Sequence, residues 1–229
     1  MLWIVALLLL YLAGQALYSG FYFVRRSQLV KKDFVKDFEL GDPKNTVLKM
    51  YLGGDSIAAG VGATSFNTSI GGRLAEYLAQ NHRVIFVNKS KGGSRMADML
   101  TAPRPVSKQD VIILIVSSND LFHFTPLKKF EETVIQVFRE YSDQTDKLIV
   151  VGPGRVDSSR ALPFPLRFIY KIRRPKYASI LEKETRRFSN IVYIMPEGPT
   201  GQGNTFSRDK FHPNDEGYEV WFQGIKTAL

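Results

Sequence analysis

The chain has 229 residues, with 31 Lys and Arg against 22 Asp and Glu, a formal charge of +9 and no cysteine. Without cysteine there are no disulfides, no thiolate metal sites, no cysteine nucleophile and no lipid-modified cysteine anchor. A basic balance suits nucleic acid, anionic lipid or an acidic substrate. Because the sequence holds no nucleic-acid-binding motif, we favour a membrane over a nucleic acid as the partner.

The amino-terminal stretch is apolar. Residues 2–24 carry no charge, and Gln15 is their one strongly polar side chain. A helix rises about 1.5 Å per residue, so such a stretch can cross a hydrocarbon core of about 30 Å. The alternative is a signal peptide cleaved near Gly14-Gln15-Ala16, but no Lys or Arg precedes the apolar run. We expect residues 1–24 to form a transmembrane anchor of a single-pass protein of the cell membrane.

A charged connector is expected over residues 25–45, which end in the turn-like Gly41-Asp42-Pro43. Its basic residues Arg25 and Arg26 favour a cytoplasmic domain by the positive-inside rule. A domain that acts on the cell envelope would need to lie on the opposite side of the membrane, so the sequence does not decide between the two sides.

From residue 46 onward, apolar runs alternate with helical patterns. We expect strands over residues 46–52, 83–87, 110–116, 147–151 and 191–195, and helices over residues 69–80, 126–141, 177–188 and 214–227. Strand–helix alternation predicts a mostly parallel five-stranded sheet with helices on both faces. Residues 46–229 therefore read as one three-layer α/β/α domain.

A serine follows the first predicted strand, in the sequence Gly53-Gly54-Asp55-Ser56. Parallel α/β sheets place their sites at the carboxyl ends of strands. A serine on a glycine turn at that edge is a candidate nucleophile. Taken alone, Ser56 reads equally as a turn residue or a helix N-cap.

The chain has three histidines, His82, His123 and His212. Asp209 stands three residues before His212, a spacing at which a carboxylate can orient an imidazole and stabilise its charge. His82 lies at a polar corner where we expect it to be solvated. His123 lies in a loop, where it could line a pocket.

Two further loops follow predicted strands. Residues 88–94 include Gly93, whose N–H can reach an oxyanion without a side chain in the way. Asn119 follows the third strand, and its amide can donate a second hydrogen bond. The four loops should meet at one edge of the sheet, which is the arrangement that a serine hydrolase needs.

The chain resembles the SGNH hydrolases, also called GDSL esterases and lipases. Four blocks match in order over residues 54–212: Gly54-Asp55-Ser56, Asn88 to Ser94, Asn119-Asp120, and Asp209 with His212. The resemblance implies a flavodoxin-like fold, with Ser56 as nucleophile, His212 as acid and base, and Asp209 as its orienting carboxylate. It implies an oxyanion hole made by the N–H groups of Ser56 and Gly93 and the amide of Asn119, without metal or cofactor.

One position departs from the family pattern. Ser117 stands where the family usually has glycine, and a serine fits there if its φ is negative. The resemblance implies that the substrate is a lysophospholipid, an acyl thioester or a simple acyl ester. O-acetylated glycan of the cell envelope is the alternative substrate, and a catalytically silent module that binds glycan or lipid is the alternative function.

A basic segment runs from Arg155 to Arg187. It holds ten Lys and Arg against three Asp and Glu, with aromatic residues between them. A solvated charged surface explains this composition. The second reading is a lid or flap that contacts anionic lipid beside the site, because basic and apolar side chains together bind a membrane interface.

Overall fold

The fold was taken from a computed structural model of the chain, which describes residues 2–27, 30, 33–196 and 205–229. In this part of the chain six strands form one sheet, in the order β1-β3-β2-β4-β5-β6. Their bounds are β1 Phe38–Leu40, β2 Val47–Gly54, β3 Arg83–Asn88, β4 Gln109–Ile115, β5 Thr145–Val151 and β6 Ile191–Ile194. Strands β2 to β6 are parallel, and β1 pairs antiparallel with β3.

The edge strand β1 corrects the expectation of an irregular connector over residues 25–45 and of a five-stranded sheet. Phe38 pairs with Phe86 of β3, and the two ring centroids lie 4.9 Å apart. A three-residue strand has too little alternation to be seen in a sequence, because its formation depends on the partner strand and on ring packing.

Helices that follow β2 cover both faces of the sheet, and one further helix precedes the sheet. They are α1 Leu2–Ser27, α2 Ile70–Ala79, α3 Ser118–Phe122, α4 Leu127–Ser142, α5 Phe164–Thr185 and α6 Asp215–Lys226, with short 3₁₀ turns at Met96–Leu100 and Val156–Ser158. Met50 and Leu52 of β2 point into a core that α2 and α6 complete, whereas Tyr51 points into a core completed by α4 and α5. The period of two along each strand thus builds the two cores of a three-layer domain.

Helix α5 begins at Phe164, although the sequence indicated a helix only over residues 177–188. Two prolines concealed the longer helix. Pro165 stands in the first turn, where its missing N–H costs nothing, and Pro175 lies inside the helix. Tyr170, Tyr177 and Leu181 are buried against the core, and this burial offsets the hydrogen bond lost at Pro175.

Helix α1 forms over the stretch that was expected to be a membrane anchor, and it runs on through Arg25 to Ser27. The expectation of a transmembrane helix is not supported: over the part of the chain that the structure describes, no helix has both the length and the apolarity that a bilayer crossing requires. Described side chains such as Trp3 and Leu10 are exposed along this helix.

The sheet order positions the functional site. After β2 the chain adds β3 on one side and then returns across β2 to add β4 on the other. At such a switch point the two loops diverge and leave a crevice at the carboxyl ends of the strands. The loop after β2 carries Ser56, and the loop after β4 carries Asn119.

Candidate active site

The turn that carries Ser56 is fixed by a close approach of two strands. Gly54 has φ +145°, and a Cβ atom there would lie 2.0 Å from the carbonyl oxygen of Ile115. The next N–H, of Asp55, donates to that same carbonyl at 2.9 Å. Only glycine allows β2 and β4 to approach so closely at this point. Ser56 is thereby held at the end of β2.

His212 lies in a loop closed by its own hydrogen bonds. The N–H of Ser207 donates to the carbonyl oxygen of His212 at 2.9 Å, and Lys210 adopts φ +60° at the turn. The side chain of Asn214 then caps α6 by accepting from the N–H of Gly217 at 2.9 Å. The histidine is therefore fixed between a tight turn and a helix start.

The structure brings together the three residues that the sequence assigned to catalysis. Nε2 of His212 lies 3.0 Å from Oγ of Ser56, and Nδ1 lies 2.5 Å from Oδ2 of Asp209. His212 is 8% exposed and Asp209 is 1% exposed. A serine hydroxyl, an imidazole and a buried carboxylate in this chain of contacts can activate the hydroxyl as a nucleophile.

Asp209 is held as a carboxylate although it is buried. Burial by itself raises the pKa of Asp209, but the hydrogen bond and the charge of His212 bring that pKa below its ordinary value. Oδ1 also accepts from the Ser207 hydroxyl at 2.7 Å and from the N–H groups of Phe211 and His212 at 2.9 and 3.0 Å. Hydrogen bonds to a carboxylate stabilise its charged form.

Asp55, which precedes Ser56 in the chain, shows the opposite pKa shift. It is fully buried, and its Oδ1 accepts from the N–H of Ile57 at 2.9 Å. Burial raises the pKa of Asp55 to about 7, against the lowering effects of the Ile57 N–H and of His212. Asp55 therefore changes charge near neutral pH.

The three groups that the sequence assigned to an oxyanion hole lie in the loops that follow β2, β3 and β4. Nδ2 of Asn119 donates to the carbonyl oxygen of Ser94 at 3.0 Å, which leaves its second N–H for another acceptor. In the described part of the chain, the N–H groups of Ser56 and Gly93 meet no protein acceptor. A Cβ atom at Gly92 would lie 3.9 Å from Cβ of Ser56, so the glycine loop reaches the nucleophile.

The backbone of Ser117 does not have the negative φ at which a serine was expected to fit. Its φ is +136°, a conformation that favours glycine, and its buried hydroxyl has no hydrogen-bond partner among the described residues. Strain of this kind costs on the order of 1–3 kcal/mol. Asn119 nevertheless lines the same cavity as Ser56 and His212, so the strained backbone still places the Asn119 side chain at the active site.

Asp120 ties two of the loops together. Its Oδ2 accepts from the N–H of Met96 at 2.7 Å, and it is 2% exposed. Burial raises the pKa of Asp120, against the lowering effect of the Met96 N–H. Since Met96 follows the glycine loop, this contact fixes the position of Gly93 relative to Asn119.

A small cavity of about 40 Å³ opens beside Ser56 and His212. Its wall is mostly apolar, and the sequence did not identify the residues that form it: Ile57, Phe122, Val156, Phe206, Phe211 and Trp221. They come from five separate turns and helices, so no local pattern joins them. His123 is exposed at the end of α3, His82 is half-buried away from the site, and neither lines the cavity.

A wider depression of about 740 Å³ lies on the other side of the glycine loop. Its lining combines apolar surface with polar side chains that include Lys89, Lys91 and Asp98, and Gly92 approaches Ser56 from this side. The nucleophile therefore lies near both a small apolar cavity and a larger depression of mixed polarity.

The comparison with protein families gives one match. A profile of the GDSL-like lipase/acylhydrolase family matches residues 53–220 of this chain. The matched range includes Ser56, Gly93, Asn119, Asp209 and His212, and it ends one residue before the cavity residue Trp221. Comparison with curated proteins finds no match.

Solved structures share the fold at low identity. An extracellular lipase from Streptomyces rimosus is 15% identical, covering 80% of this chain and 100% of its own, with a TM-score of 0.61. A catalytic mutant of an acetylxylan esterase from Geobacillus stearothermophilus is 14% identical over 81% and 95%, with a TM-score of 0.58. A two-domain esterase active on acetylated mannans is 16% identical over 80% of this chain and 48% of its own, with a TM-score of 0.59.

Proposed function

Because this chain belongs to the GDSL-like lipase/acylhydrolase family, we propose that it hydrolyses carboxylic esters through an acyl-serine intermediate formed on Ser56. The chain is an enzyme of the serine esterase type. The observation that carries the residue assignment is the continuous contact from Ser56 through His212 to Asp209. A catalytically silent binding module would have no need of this contact.

The geometry supports two half-reactions. In the first, Oγ of Ser56 attacks the ester carbonyl while Nε2 of His212 takes the hydroxyl proton and then passes it to the leaving alcohol. In the second, His212 takes a proton from water, the water oxygen attacks the acyl-serine, and His212 returns the proton to Ser56. Asp209 stabilises the imidazolium that forms in each half-reaction.

Charge that develops on the carbonyl oxygen is stabilised by preorganised donors. These are the N–H groups of Ser56 and Gly93 and the second N–H of the Asn119 amide. Each such donor is typically worth about 10²–10³ in turnover.

A fluorophosphonate reagent tests the proposal, because it forms a stable bond only with an activated serine. We expect labelling of the wild type and of the Ser107→Ala variant, and loss of labelling in the Ser56→Ala variant. Ser107 is exposed ahead of β4, at the opposite edge of the sheet. Labelling that persists in Ser56→Ala would assign the nucleophile elsewhere and overturn the proposal.

A second candidate is the removal of short acyl groups from a glycan. The cavity of about 40 Å³ has room for about three water-sized groups at roughly 10–15 Å³ each, which favours a short acyl chain. The larger depression beside the glycine loop, with Lys89, Lys91 and Asp98 in its lining, could hold a bulky alcohol. The structural likeness to an acetylxylan esterase and to an esterase active on acetylated mannans supports this candidate.

A series of p-nitrophenyl esters from acetate to decanoate, followed by acetylated xylan and mannan, distinguishes the two substrate classes. Highest kcat/KM on acetate, with acetate release from a polymer, supports the glycan. Highest kcat/KM on octanoate or decanoate supports lysophospholipid or acyl thioester, and both of these can be assayed directly.

A location at the cell membrane is also proposed. Described side chains of α1, such as Trp3 and Leu10, are 84% and 70% exposed, and they would be better accommodated by lipid than by water. Recovery of the full chain with membranes after a high-salt wash supports this location, and quantitative release into the wash contradicts it. Protease accessibility of the domain in intact cells then shows on which side of the membrane the domain lies.

A further inference from the structure

One face of α5 is apolar although it is exposed. Phe164, Phe168 and Ile172 are 76%, 55% and 50% exposed, and they recur at the four-residue spacing that places side chains on one side of a helix. Ile169 beside them is 38% exposed. We call these four residues the outer face of α5. Large apolar side chains in a contiguous exposed group mark an interaction surface.

The charge around the outer face has one sign. Between Phe164 and Lys176 the helix carries five basic residues and no acidic one. Lys171 and Lys176 are exposed with the outer face, whereas the guanidinium groups of Arg167 and Arg174 donate to backbone carbonyls of the domain. The acidic residues of this helix, Glu182 and Glu184, lie in its last turns.

The opposite face of α5 contacts the wall of the catalytic cavity. Tyr170 is buried, with its ring centroid 5.0 Å from that of Phe122, which lines the cavity. Arg167 donates to the carbonyl oxygen of Asp157 at 3.1 Å, in the same turn as the cavity residue Val156. A surface bound to the outer face therefore lies about 10 Å, one helix diameter, from the cavity wall.

We propose that the outer face of α5 docks on the surface of an anionic lipid bilayer, with its aromatic and aliphatic side chains in the interface and Lys171 and Lys176 against the headgroups. Apolar side chains with lysines on the same face suit this partner, because lipid offers both an apolar boundary and negative charge. An apolar partner of neutral or positive surface would leave the lysines without counter-charges. The proposal concerns binding and does not rest on ester hydrolysis.

A fluorophore on the helix tests the docking in the full chain. The sequence has no cysteine, so Phe168→Cys accepts an environment-sensitive dye at one position. The matched control is Val106→Cys, a fully exposed apolar residue in the loop before β4. Both are mixed with phosphatidylcholine vesicles, with and without phosphatidylglycerol, and with brominated lipids that quench a dye inside the interface.

We expect a blue shift and quenching of the dye at residue 168 with anionic vesicles, little of either with zwitterionic vesicles, and reversal at 1 M salt. The dye at residue 106 should not respond, even where another part of the chain binds the vesicle. No shift at residue 168, or equal shifts at both positions, overturns the proposal. A blue shift that occurs without vesicles and grows with protein concentration would mean that the outer face binds a second copy of the chain. That result would also overturn the proposal.

Charge reversal separates lipid docking from general electrostatics. The variant Lys171→Glu/Lys176→Glu should weaken binding of the residue 168 dye to anionic vesicles by about tenfold or more, at about 1 kcal/mol per basic residue lost and further repulsion from the new carboxylates. Lys44→Glu/Lys108→Glu makes the same change in net charge at exposed positions ahead of β2 and β4, and it should bind as the wild type does. Equal weakening in both variants would contradict a role for this face.

Discussion

The active site holds two buried aspartates, Asp55 and Asp209, whose pKa values shift in opposite directions. Asp209 accepts four hydrogen bonds, from Ser207, Phe211 and His212, and its pKa lies below the ordinary value. Asp55 accepts the N–H of Ile57 and is buried as deeply, and its pKa is raised to about 7. Burial acts in the same direction on both carboxyls, so the number of donors that face each one decides its charge.

The difference separates two tasks within one site. The loop of residues 205–214 supplies a fixed negative charge to an imidazole. The turn of residues 54–57 holds a buried carboxyl whose pKa is raised to about 7, so its charge changes near neutral pH while that of Asp209 stays fixed.

Replacing Asp209 by Asn should have the largest effect on turnover. Asn keeps the shape of the side chain but does not stabilise the imidazolium, and it favours the wrong tautomer of His212. We expect kcat to fall by about 10⁴ with the KM for p-nitrophenyl acetate little changed. A loss smaller than about tenfold would mean that the contact of 2.5 Å does not orient the histidine.

Replacing Asp55 by Asn should lower kcat at pH 7 by no more than about tenfold, because the amide oxygen still accepts the N–H of Ile57. The kcat values of Asp55→Asn and Asp209→Asn, measured side by side at saturating substrate, test whether the two aspartates have different roles. A loss in Asp55→Asn as large as that in Asp209→Asn would show that both carboxylates act in the reaction.

The pH dependence of stability separates the two aspartates by sign. Asp209 has a lowered folded-state pKa, so its stabilisation is present above the ordinary pKa and is lost as the pH falls through the folded value. Asp55 has a folded pKa near 7 against an ordinary 3.8, so the folded state binds the extra proton between these values, and stability falls as the pH rises from about 4 to 7.

The unfolding temperature of Asp55→Asn relative to the wild type should therefore rise between pH 4 and 7 and level off above. A shift of three pKa units sets an upper limit of about 4 kcal/mol. Asp209→Asn should instead be destabilised at pH 7, with the difference shrinking below pH 4. Asp146→Asn, at an exposed ion pair with Lys108, gives the flat control curve, and a flat curve for Asp55→Asn would contradict the raised pKa.

The smallest expected effect is on stability and concerns the Ser117 hydroxyl, a buried polar group without a hydrogen-bond partner among the described residues. Ser117→Gly removes a buried hydroxyl without a hydrogen bond and relieves φ +136°. We expect a gain of about 1 kcal/mol, or about 2–4 °C in Tm, with activity retained. Ser118→Gly, one residue along in α3, should lose stability, because its hydroxyl accepts the N–H of Gly154 at 3.2 Å. A lower Tm for Ser117→Gly would show that the serine is not strained.

The sequence could predict the five parallel strands because each is a run of apolar residues between polar turns. The observed β4 and β6 lie within one or two residues of the predicted 110–116 and 191–195. The sequence could also place five site residues at one edge of the sheet, because parallel strands bring their carboxyl ends together. These residues are Ser56, Gly93, Asn119, Asp209 and His212. These predictions depend on local patterns and on the order of blocks along the chain.

The rest depends on contacts between distant residues. The cavity wall joins Phe122, Val156 and Trp221 from separate elements. The amino-terminal half of α5 was hidden by Pro165 and Pro175, although Tyr170 anchors it to the core. The donors on Asp209 follow from the fold of its loop. The positive φ of Ser117 had one signal, the glycine that the family usually has at this position, but the other features have no local signal in a single sequence.

The 3.0 Å contact between Ser56 and His212 joins residues 156 positions apart. The nucleophile leaves the ribosome early and its partner late, and α6 must pack before either is fixed, since the hydroxyl of Tyr218 donates to the carbonyl oxygen of Val61 at 2.7 Å. A nascent chain that has not yet produced α6 therefore cannot react with an ester. Esterase activity that appears in a translation mixture would therefore report that α6 has been synthesised and has packed against the domain.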